Sequence, residues 1–423
     1  MTTVNPHWLG YRCTVCERSH DPDWRGFVCK ACGPRGILDA AYDQAAIARQ
    51  LDPATAFPDH PAGGLWRFAP LLPFWPESSH PAWSVGDTPL LSATRLADSL
   101  QLAELQLKDD TGLPSGSLKD RATAVALVDA VSLGVDHLAC ASTGNAAASL
   151  ATLAARAGLG CTICVPATAP EAKLAQLLMH GARVVRVDGD YDQAYELSLR
   201  ALAKHGWYSR NCAHNPLLVE GKKTVVLEIA RARGWQLPDA VFVPVGDGCI
   251  VSAVAKGLAE LVEVGLADRL PRVYGVQAAG ASPLATAWQT AGTRASRLTG
   301  PEILDAVQPV LARSCADSIA VGVPRNRVKA WRRVAATAGG FLTVTDEEIL
   351  ASVRLLAHDA GLFAEPSGAT GLAGLIRARS DGLVADSESV VVLVTGHGLK
   401  DPSAALAGVA LPEPIPPDSS LPR

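Results

Sequence analysis

Residues 104–109 read ELQLKD, with leucines at alternate positions, whereas DRATAVALVDAVSLG at 120–134 spaces its apolar residues three and four apart. The first is the pattern of a half-buried strand and the second that of an amphipathic helix. The alternation continues down the chain. HLACA at 137–141 predicts a strand and 145–157 a helix; CTICVP at 161–166 predicts a strand and EAKLAQLLMHG a helix. ARVVRVDG then predicts a strand and YDQAYELSLRALAKHG a helix. Further on, helix 217–233, strand AVFVPVG, helix 250–264 and strand RVYGVQAAG follow, and VVVLVTG is the last strong strand. Regular strand–helix alternation implies parallel sheets with helices on both faces.

The N-terminal stretch breaks this rhythm. Residues 1–43 hold Cys13, Cys16, Cys29 and Cys32, two CxxC pairs separated by twelve residues. Two such knuckles can close four thiolates around a structural zinc, with free thiols as the alternative. Residues 44–86 are rich in proline and tryptophan and read as an irregular wrapping segment with a short helix near 65–71. The remainder divides into a larger α/β unit, 87–134 and 213–410, and a smaller one, 135–212. The proline-rich end, 411–423, reads as a disordered tail.

Composition narrows the class. The chain has 423 residues, a formal charge of −4 and scattered lysines and arginines, so no nucleic-acid surface is expected. The start MTTVNPHWLGYRC lacks a basic region followed by an apolar run, and no apolar stretch is long enough to span a bilayer. A cytoplasmic protein with no membrane contact is the expectation. Among the ten cysteines, Cys161 and Cys164 form another CxxC inside a strand-like run and read as core packing.

Four loops carry candidate chemistry. PSGSLKDRA, 114–122, places Lys119 at a helix start. ASTGNAAAS, 141–149, bunches Ser142, Thr143 and Asn145 around Gly144, where Ser142 or Thr143 could also simply cap the helix. PVGDGCI, 244–250, sets two glycines before a helix, a plausible phosphate cradle or an ordinary tight connection. VTGHGLKD, 394–401, puts Thr395 at the end of the last strand.

Taken together and in order, PSGSLKDRA, ASTGNAAAS, PVGDGC, FAEPSGATGLAGL and VTGHGLKD resemble the threonine synthases, pyridoxal-phosphate enzymes of fold type II (tryptophan synthase β-like). GDTPLL, HNPLLVEGKKT and the four-cysteine start extend the likeness over nearly the whole chain. The resemblance implies two layered parallel-sheet domains behind a zinc-ribbon-like module, pyridoxal 5'-phosphate as cofactor, and a homodimer acting on a small amino-acid substrate. It implies Lys119 as the Schiff-base lysine and Asn145 at the cofactor's phenolic oxygen. Gly246, Asp247, Gly248, Cys249 and Ile250 would hold the cofactor phosphate, and Thr395 its ring nitrogen. Ser142 and Thr143 would hold the substrate carboxylate; Lys223 and Thr224 are candidate contacts for a substrate phosphate. Asp120 and Arg121 read as a supporting ion pair. The implied reaction is a carbon–oxygen lyase's conversion of O-phospho-L-homoserine and water to L-threonine and phosphate. The alternative is a related β-eliminating or β-replacing enzyme for serine, threonine or O-phosphoserine, dehydratase- or cysteate-synthase-like. Departures from the family pattern are Ala146 and Ala147 after the asparagine, Leu118 before the lysine, and Cys249 in the glycine loop. A zinc-dependent binding protein is the reading from a different class.

Overall fold

The computed structural model describes residues 2–52, 55, 57–407 and 409–417. Two parallel sheets organise the chain. The larger has six strands in the order Gly340–Val344, Arg272–Ala278, Ala240–Pro244, Ser389–Val394, Glu104–Asp109, Leu90–Ser92; only the last pairs antiparallel. The smaller has four parallel strands in the order Arg183–Val187, Gly160–Pro166, His137–Ala141, Tyr208–Ser209. Ala240–Pro244 is buried along its whole length and Ser389–Val394 nearly so. Helices cover both faces, which is why these strands are uninterrupted apolar runs rather than alternating ones.

Three helices stack beside the larger sheet: Lys119–Ser132, Leu217–Ala232 and Cys249–Glu263. The first two touch backbone to backbone at Gly221. A Cβ there would lie 2.1 Å from the carbonyl oxygen of Arg121, so only glycine permits the approach.

The N-terminal module is a four-stranded antiparallel sheet, Ser19–His20, Trp8–Cys13, Gly33–Tyr42 and Val28–Cys29. Its four cysteine sulfurs all lie within 4.8 Å of one another, a donor set suited to tetrahedral zinc. Strand Gly33–Tyr42 is bolted to the body by buried charges. Lys329 Nζ and Lys256 Nζ donate to the carbonyls of Leu38 and Ala40, both at 2.6 Å. Asp39 pairs with Lys329 and Arg333, and Tyr42 Oη donates to Glu220 at 2.6 Å.

Residues 44–86 are more regular than their composition suggests. They form a helix at Gln44–Gln50 capped by Asp43, a 3-10 helix at Gly64–Leu71, and a strand, Phe74–Pro76, paired with Thr2–Val4. Of the C-terminal tail, residues 409–417 are exposed and carry no helix or strand, and 418–423 lie outside the described residues. No helix among the described residues is long and apolar enough to cross a membrane.

Candidate active site

Lys119 is the first residue of its helix, and the turn before it is held from three directions. Asp120 accepts from the Ser115 amide at 2.7 Å and from the Ser115 hydroxyl at 2.6 Å, closing the turn on itself. The Leu118 amide donates to Thr395 O at 3.0 Å, and the His397 amide to Gly116 O at 2.9 Å. Lys400 Nζ donates to Ser115 O at 2.8 Å. The end of the last strand therefore lies directly against the lysine turn.

Arg121 is fully buried one residue further on. Its guanidinium makes a fork–fork pair with Asp110, both contacts at 2.8 Å, and a second with Glu228 at 2.6 and 2.8 Å. Asp120 and Arg121 do not pair with each other. Neighbouring helix positions point about 100° apart, so each finds its own partner, and the supporting ion pair expected from the sequence is two separate clamps.

The Lys119 side chain opens on a cavity of about 540 Å³ between the two sheets. Ser142, Thr143, Gly144 and Asn145 line it from the carboxyl end of strand His137–Ala141, and Asp247 from the end of strand Ala240–Pro244. This is where ligands bind in parallel α/β folds. Burial draws the Lys119 amine below its ordinary range. Neither Ser142 nor Thr143 caps the Asn145 helix; its N-cap is Gly144, with no side-chain hydrogen bond. Asn145 Nδ2 instead donates to Glu365 Oε1 at 2.6 Å, and burial pushes that carboxyl up.

Gly246, Gly248, Cys249 and Ile250 flank Asp247 as the loop and first turn of helix Cys249–Glu263. Gly248 is left-handed at φ 86°, and a Cβ on it would meet Ala330 Cβ at 2.7 Å. No side chain caps this helix. Its first amides are thus uncapped beside the cavity, a cradle suited to a phosphate. A half-buried amine of lowered basicity on one cavity with Asp247, whose loop leads into an uncapped helix start, fits a phosphate-bearing aldehyde. Of the residues that the resemblance implied for such a cofactor, Lys119, Asn145 and Asp247 line this cavity, and Thr395 is buried beside the lysine turn.

Lys223 and Thr224 are not brought to this cavity. Lys223 Nζ is fully buried between Glu220 and Glu260, at 2.6 and 2.7 Å, over the ring of Tyr42. Thr224 Oγ1 donates to Gly221 O and accepts from Arg121. Both therefore belong to the helix-stack interior, a correction to the substrate-phosphate role expected for them. The preceding residue, Lys222, is the one whose charge acts on Lys119.

Other cavity residues carried no signal in the sequence. Arg210 and Cys212 follow the two-residue strand Tyr208–Ser209, too short for a period. Tyr191, Ser318 and Arg325 also line the cavity. Arg325 pairs with Asp192 at 2.6 Å and Lys173 pairs with Asp317, so segment 317–325 is tied across the cavity to helices of the smaller sheet.

Comparison with known proteins supplies the context. Residues 84–396 match the family model described as pyridoxal-phosphate dependent enzyme. The chain is 36% identical over 405 residues to a threonine synthase of Methanocaldococcus jannaschii, covering 96% of this chain and 95% of that one. It is 38% identical over 334 residues to a threonine synthase of Mycobacterium bovis, covering 79% and 87%. Among solved structures, the processed form of threonine deaminase isoform 2 from Solanum lycopersicum superposes with a TM-score of 0.64 at 22% identity, covering 83% of this chain and 96% of that one; this likeness is one of fold.

Proposed function

This chain belongs to the pyridoxal-phosphate-dependent lyases of fold type II related to the threonine synthases, and from that premise we propose that it converts O-phospho-L-homoserine and water to L-threonine and phosphate. The observation that carries the reading is the Lys119 amine, lowered in basicity, on one cavity with the Ser142–Asn145 turn and the Asp247 loop. Lys119 would hold the cofactor through its aldehyde carbon. The amides of Gly246–Ile250 would hold the phosphate, Asn145 the phenolic oxygen and the Thr395 hydroxyl the ring nitrogen. Bound there, pyridoxal phosphate supplies an electron sink for the charge left at the substrate's Cα.

The remaining work falls to this chain's own groups. The Lys119 amine would serve as the base for the Cα proton, and its lowered basicity keeps more of it neutral near pH 7. Ser142 and Thr143, with the uncapped amides of the Asn145 helix, would orient the substrate carboxylate. Threonine synthases aligned over nearly the full chain support phosphohomoserine as substrate. One observation favours the second reading, elimination from serine, threonine or O-phosphoserine: Lys223 and Thr224 are sealed inside the helix stack, which removes two candidate phosphate contacts.

The test is to offer O-phosphohomoserine, O-phosphoserine, serine and threonine separately to the cofactor-loaded protein. Phosphate and threonine appearing together from O-phosphohomoserine supports the first reading. Keto acid and ammonia from serine or threonine alone, or turnover of O-phosphoserine alone, replaces it with the second.

A further inference from the structure

Helix Leu217–Ala232 carries two consecutive lysines with opposite circumstances. Lys223 is satisfied by two carboxylates, whereas the Lys222 Nζ is equally buried and has no hydrogen-bond partner among the described residues. A buried ammonium without a partner is costly and calls for a counter-charge. Its field falls on Lys119, Cys249 and Cys212.

Cys212 lines the Lys119 cavity and is only partly covered. Arg210 Nη1 donates to its sulfur at 3.2 Å. Arg210 makes its remaining bonds to neutral oxygens, Thr123 Oγ1 and Lys119 O, and pairs with no carboxylate among the described residues. Ala213, the next residue, is held left-handed at φ 63°, which fixes the chain direction at the thiol. The Arg210 guanidinium thus rests on one sulfur at the wall of the cavity, and the charge of the unpartnered Lys222 acts on the same sulfur.

We propose that Cys212 is a modification site, a nucleophile for small electrophiles entering the Lys119 cavity, and that its capture closes the cavity to substrate. With a haloacetamide, sulfur forms a bond to carbon, halide leaves, and the thiol proton goes to solvent. With a peroxide, sulfur gains one oxygen as the O–O bond breaks, giving a sulfenic acid while the peroxide is reduced to water. The inference concerns the thiol itself and does not rest on the substrate assignment.

The charged and titratable groups around the sulfur act in both directions. Burial raises the thiol. Lys222, Arg210 and Lys119 outweigh burial and the opposing Asp247, drawing it down to about 7. Cys140, Cys249, Tyr191 and Tyr195 complete the shell, and burial keeps each of these protonated.

The experiment is iodoacetamide labelling of the full-length protein across pH 5–10, with labelled peptides identified by mass spectrometry. Peptide mapping separates Cys212 from Cys16 in the N-terminal module. The expected result is a Cys212 rate half-maximal near pH 7, with the midpoint raised by about one pH unit or more in Lys222→Gln. Labelling should abolish turnover of the wild type, while Cys212→Ala loses no further activity under the same treatment. An unlabelled Cys212, or a wild-type midpoint at the ordinary thiol value of about 8.5, would overturn the proposal. So would an unchanged midpoint in a folded Lys222→Gln protein. Should that variant fail to fold, the wild-type midpoint alone decides.

Discussion

Replacing Arg121 by methionine tests how the lysine turn is held. The guanidinium is fully buried and satisfies two carboxylates, Asp110 and Glu228, along with the hydroxyls of Thr88 and Thr224. Burial raises Glu228, but Arg121 and then Lys108 outweigh it, taking that carboxyl from an ordinary 4.5 to about 2. That displacement corresponds to about 3 kcal/mol of favourable interaction at neutral pH. Arg121→Met leaves Asp110 and Glu228 to share Lys108 alone, and an orphaned buried charge costs about 3–5 kcal/mol. Urea unfolding followed by tryptophan fluorescence should show a loss of that size. A second signature is its pH dependence. The folded carboxyl titrates below the unfolded one, so its contribution is complete above about pH 4.5 and is lost as pH falls towards 2. Wild-type protein should therefore lose stability through that window more steeply than Arg121→Met. A loss under about 1 kcal/mol for the variant, or parallel acid profiles, would refute the reasoning.

Two further outcomes are expected. Gly221→Ala should destabilise by about 1–3 kcal/mol and lower turnover, because the new Cβ would press on the Arg121 carbonyl; helix propensity alone would instead stabilise by about 1 kcal/mol, so the sign of the change in unfolding midpoint decides. The full-length protein should carry one zinc per chain by elemental analysis, and Cys29→Ser, at a buried sulfur, should abolish it and lower the melting temperature; a metal-free wild type of equal stability would contradict a structural zinc.

The strand-to-helix rhythm made much of the body legible. Helix 145–157 and strand 137–141 stand where the apolar spacing placed them, because each buries a continuous face. Strand Gly340–Val344 escaped notice: it is an edge of the sheet, five residues long, with intermediate burial at Leu342 and Thr343. Arg210 and Cys212 escaped for a similar reason. They follow a strand two residues long that exists only because His137–Ala141 is there to pair with it. The lysines of EGKKT show a different limit. Sequence places Lys222 and Lys223 side by side, but helical geometry turns them about 100° apart, one between two glutamates and the other without a partner, its charge acting on Cys212 and Lys119. Which lysine meets the glutamates and which is left without a partner depends on the phase of the helix, which the spacing of a short motif does not reveal.

The most direct test of the central claim is the visible absorption spectrum of purified protein loaded with pyridoxal phosphate, set beside Lys119→Ala treated identically. A band characteristic of a lysine-bound cofactor is expected in the wild type. On borohydride reduction the cofactor should remain covalently on the peptide containing Lys119, and both signals should be absent from the variant. A wild-type protein without the band, or a variant that retains it with the cofactor attached to a different lysine, would contradict the assignment of this cavity.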